Sequence, residues 1–340
     1  MNKSRITLRT TAVVTAGLVL TLATSAAAQA PDLTGTLVVV NKGASSVSII
    51  DVASGTELAV LPTGTGPHEV AISSDGRTAV VTDYGARQPG NSLTVVDIQD
   101  IEVTRTIDLG AHERPHGIAF LPGDEKVVVT SEATGSVIVV DVENGRIDDS
   151  LPTGQAGSHM LALPGPAASV WTSNVRDGTV SEIDMSTGTT ARIIDVPAQP
   201  EAIGVTPDGL EVWVGSNQNG TVSVVDSEDG SVSQALDGFG WPYRVQFTPD
   251  GETALIPDLR GEELRVVDRE SRSVRHVIPL SGGAPQGVAV TPDGRIAFQS
   301  LSDRARVILI DLESGEILSH VSTGQGPDGV AYSPIVVAQD

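Results

Sequence analysis

Residues 201–242 read EAIGVTPDGLEVWVGSNQNGTVSVVDSEDGSVSQALDGFGWP, and the fold is decided there. Ile203-Gly204-Val205 alternates as a short strand, and Pro207-Asp208-Gly209 is a tight turn. Leu210 to Gly215 is a second strand, closed by the turn Gln218-Asn219-Gly220. Thr221 to Asp226 is a third, and Ser231 to Leu236 a fourth, on either side of Glu228-Asp229-Gly230. Turn residues punctuate the stretch every few positions, β-branched residues fill the gaps, and no helical periodicity is present.

Outward from this stretch the same unit recurs. Its third strand ends on Asp226, and equivalent aspartates stand at Asp51, Asp97, Asp141, Asp184, Asp268 and Asp311, at steps of 42 to 46 residues. Four short strands in such a period are the signature of a propeller blade. A linear β-solenoid would use shorter coils and polar end caps. The chain ends favour a ring: the last unit keeps only Gly329 to Tyr332, and Leu37–Asn41, Val47–Val52 and Glu57–Leu61 supply its missing strands. The expectation is an all-β, seven-bladed propeller of four-stranded antiparallel blades, one domain over 31–340. Its tail, Pro334 to Asp340, fits no strand and is expected to fray.

Residues 1–28 read as a secretory signal peptide, with a basic start (Lys3, Arg5, Arg9), an apolar run over 12–23 and a small-residue exit that also allows a cut after Ala30. That run is too short for a stable membrane span. The protein is expected in the periplasm or outside the cell, without membrane insertion. Removing the leader would shift the formal charge from −22 to −25. Such a surface repels nucleic acid and anionic membranes. The chain has no cysteine, so disulfides and thiolate chemistry are excluded.

Segments such as Pro115-His116-Gly117-Ile118-Ala119-Phe120, Thr206-Pro207-Asp208-Gly209 and Val128-Val129-Thr130-Ser131 resemble the YVTN-type β-propeller repeat family. The resemblance covers essentially the whole mature chain. It implies a seven-bladed propeller in an exported or surface protein, and it is shared in fold with propellers bearing lactonase, lyase or copper-dependent reductase sites. Fold alone does not select among them.

The strand opening with the Pro-x-Gly segment should line the central channel, and the residue after its proline, or the equivalent position where no proline stands, should be at the channel mouth. Those residues are His68, His116, His159, Glu201, Tyr243, Gln286 and Asp328. Three imidazoles and a carboxylate from successive blades (His68, His116, His159, Glu201) form a ligand set suited to one divalent transition metal ion, Zn, Mn, Fe or Cu. The structural alternative is that each histidine only serves its turn. Around the same mouth the loops should carry Lys42, Arg87, Arg114, Arg176, Arg244, Arg260 and Arg304. These either form surface ion pairs or, with Trp241, Tyr243, Gln286 and Asp328, bind a small anionic ligand. Phe239 and Trp241 either pack between blades or wall such a ligand.

His112-Glu113-Arg114-Pro115-His116 matches a zinc-peptidase string, but the chemistry behind that string needs a helix and Pro115 breaks one. The recurring aspartates suit a turn that every blade needs. Two readings result. One is a binding protein that uses the channel-mouth face for a small anionic ligand or a protein partner. The other is a metal-dependent lyase or lactone hydrolase, with Tyr243 or His112 as the proton-transfer group.

Overall fold

A computed structural model of the protein describes residues 33–165 and 168–338. Residues 1–28, read above as a signal peptide, lie outside the described residues. Seven four-stranded antiparallel sheets form the ring. Blade one spans residues 67–108, blade two 115–152, blade three 158–195, blade four 200–236, blade five 246–279 and blade six 285–322. In blade seven the strand Pro327–Ser333 pairs with Thr36–Asn41, followed by Ser46–Asp51 and Thr56–Pro62. This joint closes the ring and leaves no blade incomplete. A single 3₁₀ turn, Ser302–Arg304, is the one helical element among the described residues, and no described helix is long and apolar enough to cross a membrane.

Burial along each blade follows from its place in the ring. Second and third strands lie between two neighbouring blades and are apolar on both faces, so Thr36–Asn41 and Ser46–Asp51 are buried throughout. Fourth strands form the rim and are half exposed, as in Thr56–Pro62. Every blade–blade interface holds its own apolar cluster. Between blades one and two it includes Val80, Leu93, Val127, Val129 and Ile138. Each such side chain contributes roughly 1.5–3 kcal/mol of burial. Trp171 and Trp213 lie in two of these interfaces, both essentially buried.

Three details depart from the sequence reading. Leu210 is exposed and belongs to the turn rather than to the second strand of blade four, because its N–H donates to Asp208 Oδ1 (3.0 Å). The innermost strand of blade five shrinks to Gln246–Phe247 plus a single bridge from Pro242 to Asp258. Pro257 stands there where blade four has Gly215, and it brings no N–H to the ladder. The tail does not fray over its described part: Val337 and Ile335 cover Val38, Val47 and Val96, and Thr36 Oγ1 donates to the Ile335 carbonyl (2.7 Å).

All seven repeat aspartates work in the same way. Each accepts a backbone N–H from two or three residues later, for example Ser54 onto Asp51 (2.8 Å) and Ser271 onto Asp268 (2.9 Å). This is turn chemistry.

Candidate functional site

The backbone that aims the mouth residues is irregular in a regular way. The ladder between first and second strands slips between Pro67 and Val70, Pro115 and Ile118, Ser158 and Leu161, Pro200 and Ala202, and Pro285 and Val288. Each slip contains a mouth residue. A bulge of this kind bends the strand and re-aims a side chain, here toward the axis. Where a glycine follows the mouth residue, as at Gly117, Gly287 and Gly329, it lets the next blade approach. A Cβ on Gly117 would lie 2.6 Å from the Leu161 nitrogen, and one on Gly329 2.7 Å from the His68 carbonyl. Hydroxyls of the second strands fasten the arrangement: Thr130 Oγ1 accepts from Gly117 N (2.9 Å) and donates to the His159 carbonyl (2.6 Å).

Blades one to three therefore bring three imidazoles together, successive rings being tilted by 42° and 37°. Ring centroids of His68 and His116 are 4.1 Å apart, and those of His116 and His159 3.8 Å. His116 is only 1% exposed, and among the described residues neither of its ring nitrogens has a hydrogen-bond partner. Burial, reinforced by the neighbouring imidazoles, holds its pKa well below the usual histidine range. It is a neutral ring with two unused nitrogens.

Its neighbours are occupied. His68 Nε2 lies 2.6 Å from the Lys42 ammonium, and Nδ1 lies 2.8 Å from Asp328 Oδ2, near but not aligned as a hydrogen bond. The neutral tautomer with its proton on Nδ1 suits both neighbours. His159 Nδ1 bonds Glu132, and Nε2 lies 3.7 Å from Glu201 Oε1. Burial opposes charging His159, yet the two carboxylates prevail and lift its pKa to about 9. Burial likewise opposes ionising Glu132 and Glu201, and His159 lowers both. Two groups place their ligand atoms within 4.8 Å of one another: His68, Glu69 and His116, and His116, Glu132 and His159.

Glu201 faces the imidazoles from one side while its Oε2 takes Trp241 Nε1 (3.1 Å) and the Asn217 amide. Tyr243 is buried, which raises its hydroxyl pKa well above the ordinary value, and its hydroxyl reaches Asp328 Oδ1 (3.4 Å). Gln286 leaves its buried Oε1 without a partner among the described residues. Arg244 does not face outward: it is buried, bonds Glu69, and lies over the Tyr243 ring at 4.1 Å. Arg260 covers Trp241 (4.5 Å) and Arg114 covers Tyr84 (4.7 Å). Arg87 and Arg176 stand exposed on the rim. His112 lies in a loop, where its Nδ1 is 3.1 Å from Thr134 Oγ1.

Glu69, Tyr84 and Glu132 were not singled out from the sequence as part of the mouth. Tyr84 donates to Glu132 Oε2 (2.9 Å) and meets His68 and His116 edge-on. The signal for two of them was available. Lys42, Tyr84, Glu132 and Asn217 are each the first residue beyond the second strand's buried polar end (Asn41, Asp83, Ser131, Ser216), and all four touch a mouth residue.

A family model of YNCE-like β-propellers matches residues 14–125 and 136–332. The chain belongs to the YNCE-like β-propeller family. Among solved structures, this YNCE-like propeller is similar to a functionally unknown protein from Desulfotomaculum acetoxidans DSM 771. That protein is 15% identical, with 88% of this chain and 99% of that chain covered and a TM-score of 0.73. It is also similar to the hydrazine synthase of Kuenenia stuttgartiensis, 20% identical, with 79% of this chain and 90% of that chain covered and a TM-score of 0.68. At these identities the likeness is one of fold. No curated protein matches the chain. The propeller suits binding of a ligand or a protein partner.

Proposed function

We propose that this YNCE-like propeller is an exported binding protein whose channel mouth holds one divalent transition metal ion through His116, His159 and Glu132, with His68 and Glu201 flanking. The observation that carries the reading is His116. A histidine kept only for packing would be hydrogen-bonded, because a buried polar group without a partner costs about 1–3 kcal/mol. His116 instead lies between two other imidazoles with neither nitrogen partnered among the described residues, so that one nitrogen of the neutral ring is free to ligate, with a carboxylate within ligand distance. That set of imidazole nitrogens and a carboxylate oxygen fits zinc and its neighbours in the transition series.

Electrostatics supports the same assignment. The Glu132 side of the cluster has His159 as its cationic partner, and that cation is a proton which an incoming metal ion would displace. The Glu69 side is already neutralised by Arg244. Binding is favoured over catalysis by the placement of the proton-transfer candidates: Tyr243 is buried in its protonated form, and His112 lies in a loop against Thr134.

The test is elemental analysis of tag-free protein after exposure to micromolar zinc and desalting. Wild type should retain about one ion per chain. His116→Leu should retain none, and in the metal-free state it should be more stable than wild type by about 1–3 kcal/mol, since an unpartnered polar group is removed from the interior. Zinc retained by His116→Leu, or no ion retained by wild type, overturns the assignment.

A further inference from the structure

Beyond the mouth the axis of the ring holds a second hollow. His68, Glu201, Tyr243 and Asp328 are all buried at the mouth, and one residue further along their strands Arg244 of blade five bonds Glu69 of blade one across the channel. On the far side of this bar lies a cavity of about 270 Å³ between the first strands of all seven blades, with Ile118, Met160, Val205, Phe247 and Val288 in its wall. Glu69 and Arg244 line its inner end, and no other charged residue among the described ones lines it. The polar end of the cavity is therefore a neutral pair with surface to spare. The Glu69 side chain is 13% exposed and that of Arg244 7%, and the buried Arg244 Nε has no partner among the described residues. Each first strand is also the end strand of its sheet, so unpaired backbone N–H and C=O groups face the axis.

The cavity continues toward the face opposite the mouth. A cleft of about 500 Å³ there shares Ile118 and Leu163 with it and adds Ile72, Phe120, Leu121 and Pro164, all half-buried. The strand Pro67–Ile72 runs through both: Glu69 and Val70 line the cavity, Ala71 and Ile72 the cleft. Three residues of extended chain separate Glu69 from Ile72, a span of about 10 Å. One strand thus joins a polar inner end to an apolar exit.

We propose that the channel, entered from the face opposite the mouth, binds an uncharged amphiphile: an amide head on the Glu69–Arg244 pair and an apolar chain leading out over Phe120 and Leu163. A charged head would be desolvated beside a pair that is already neutral and would find no counter-charge. A wholly apolar ligand would cover the pair without bonding it. An amide avoids both costs, its N–H donating to the Glu69 carboxylate and its carbonyl accepting from the guanidinium. The site uses none of His116, His159 and Glu132, so it stands apart from the metal assignment.

The experiment is calorimetric titration of the full mature chain at neutral pH with octanamide, octanoate and octylammonium. Octanamide should bind saturably with a negative heat-capacity change, and the two charged analogues at least about tenfold more weakly. Phe120→Ala, which trims the cleft and leaves the charged pair untouched, should weaken octanamide about fivefold. Glu69→Gln leaves Arg244 as an uncompensated cation, and there the preference should turn toward octanoate. Should that variant fail to fold, the wild-type comparison and Phe120→Ala decide. Absence of saturable octanamide binding in wild type, equal affinity for octanoate and octanamide, or an unchanged affinity in Phe120→Ala would each overturn the inference. None of these outcomes bears on zinc retention at the mouth.

Discussion

At the end of each blade away from the mouth, one device recurs seven times: an aspartate accepting a backbone N–H in the turn after the third strand. At the mouth, the equivalent positions of the same seven repeats carry five residue types. The difference follows from geometry. Every blade has its own turn, so every blade needs the same residue there. The axis has one mouth, and a pocket on it forms only where the sevenfold repetition is broken. Blades one to three break it with imidazoles, and blade five with Tyr243 and Arg244. The largest expected effect lies on that second side. Arg244→Met would leave the Glu69 carboxylate, 13% exposed, without its cation, at a cost of about 3–5 kcal/mol. Denaturant unfolding would read it, and the double variant with Glu69→Gln should regain most of the loss. A single variant as stable as wild type would mean that the pair holds nothing together.

The same contrast appears on a smaller scale where second strands end. Asn41 and Asn174 close those strands in blades seven and three, and each donates to two hydroxyls of the following strand. Asp83 in blade one closes its strand as an acceptor instead, taking Gly64 N (3.0 Å), Ser92 Oγ (2.7 Å) and Thr94 Oγ1 (3.0 Å). Burial outweighs these donors and raises its pKa to about 6. A carboxyl raised on folding stabilises the native state fully below its unfolded value near 3.9, and the contribution disappears as pH rises through 6. For a shift of about two units this amounts to roughly 3 kcal/mol. Asp83→Asn should therefore lose its stability deficit relative to wild type as pH goes from 4 to 7.5. Parallel stability–pH curves for the two proteins would show that Asp83 does not titrate on folding.

Blade number, strand order and ring closure were legible because each depends on local chemistry that repeats: turn residues, β-branched strands and the period between aspartates. The axial positions could be indexed for the same reason, since the repeat period carries the offset set by Pro115-His116-Gly117 to the blades that lack that string. What each side chain touches was not. Arg244 stands among bases expected to greet a ligand, yet it turns inward to Glu69, 175 residues away in the chain. Glu132 reaches His159 across a blade boundary, and Lys42 reaches His68 across another. Such pairs depend on the bulges and on the close approach that Gly117 and Gly329 permit. Spacing alone gives the addresses of these residues and not the directions of their side chains.

The smallest expected effect belongs to the repeated device. Asp51 accepts both the N–H (2.8 Å) and the hydroxyl (2.5 Å) of Ser54 at the far end of blade seven, the blade assembled from both chain ends. Asp51→Ala removes two hydrogen bonds from a turn in contact with water. Water can replace both, so the net cost should be about 1 kcal/mol. The change would be read as a shift in the denaturant midpoint at constant slope. Its metal content should equal that of wild type, because the turn and the mouth lie at opposite ends of the blade. An altered metal content in Asp51→Ala would mean that framework and pocket are coupled, and that the repeated and the broken positions cannot be treated as separate layers of the same repeat.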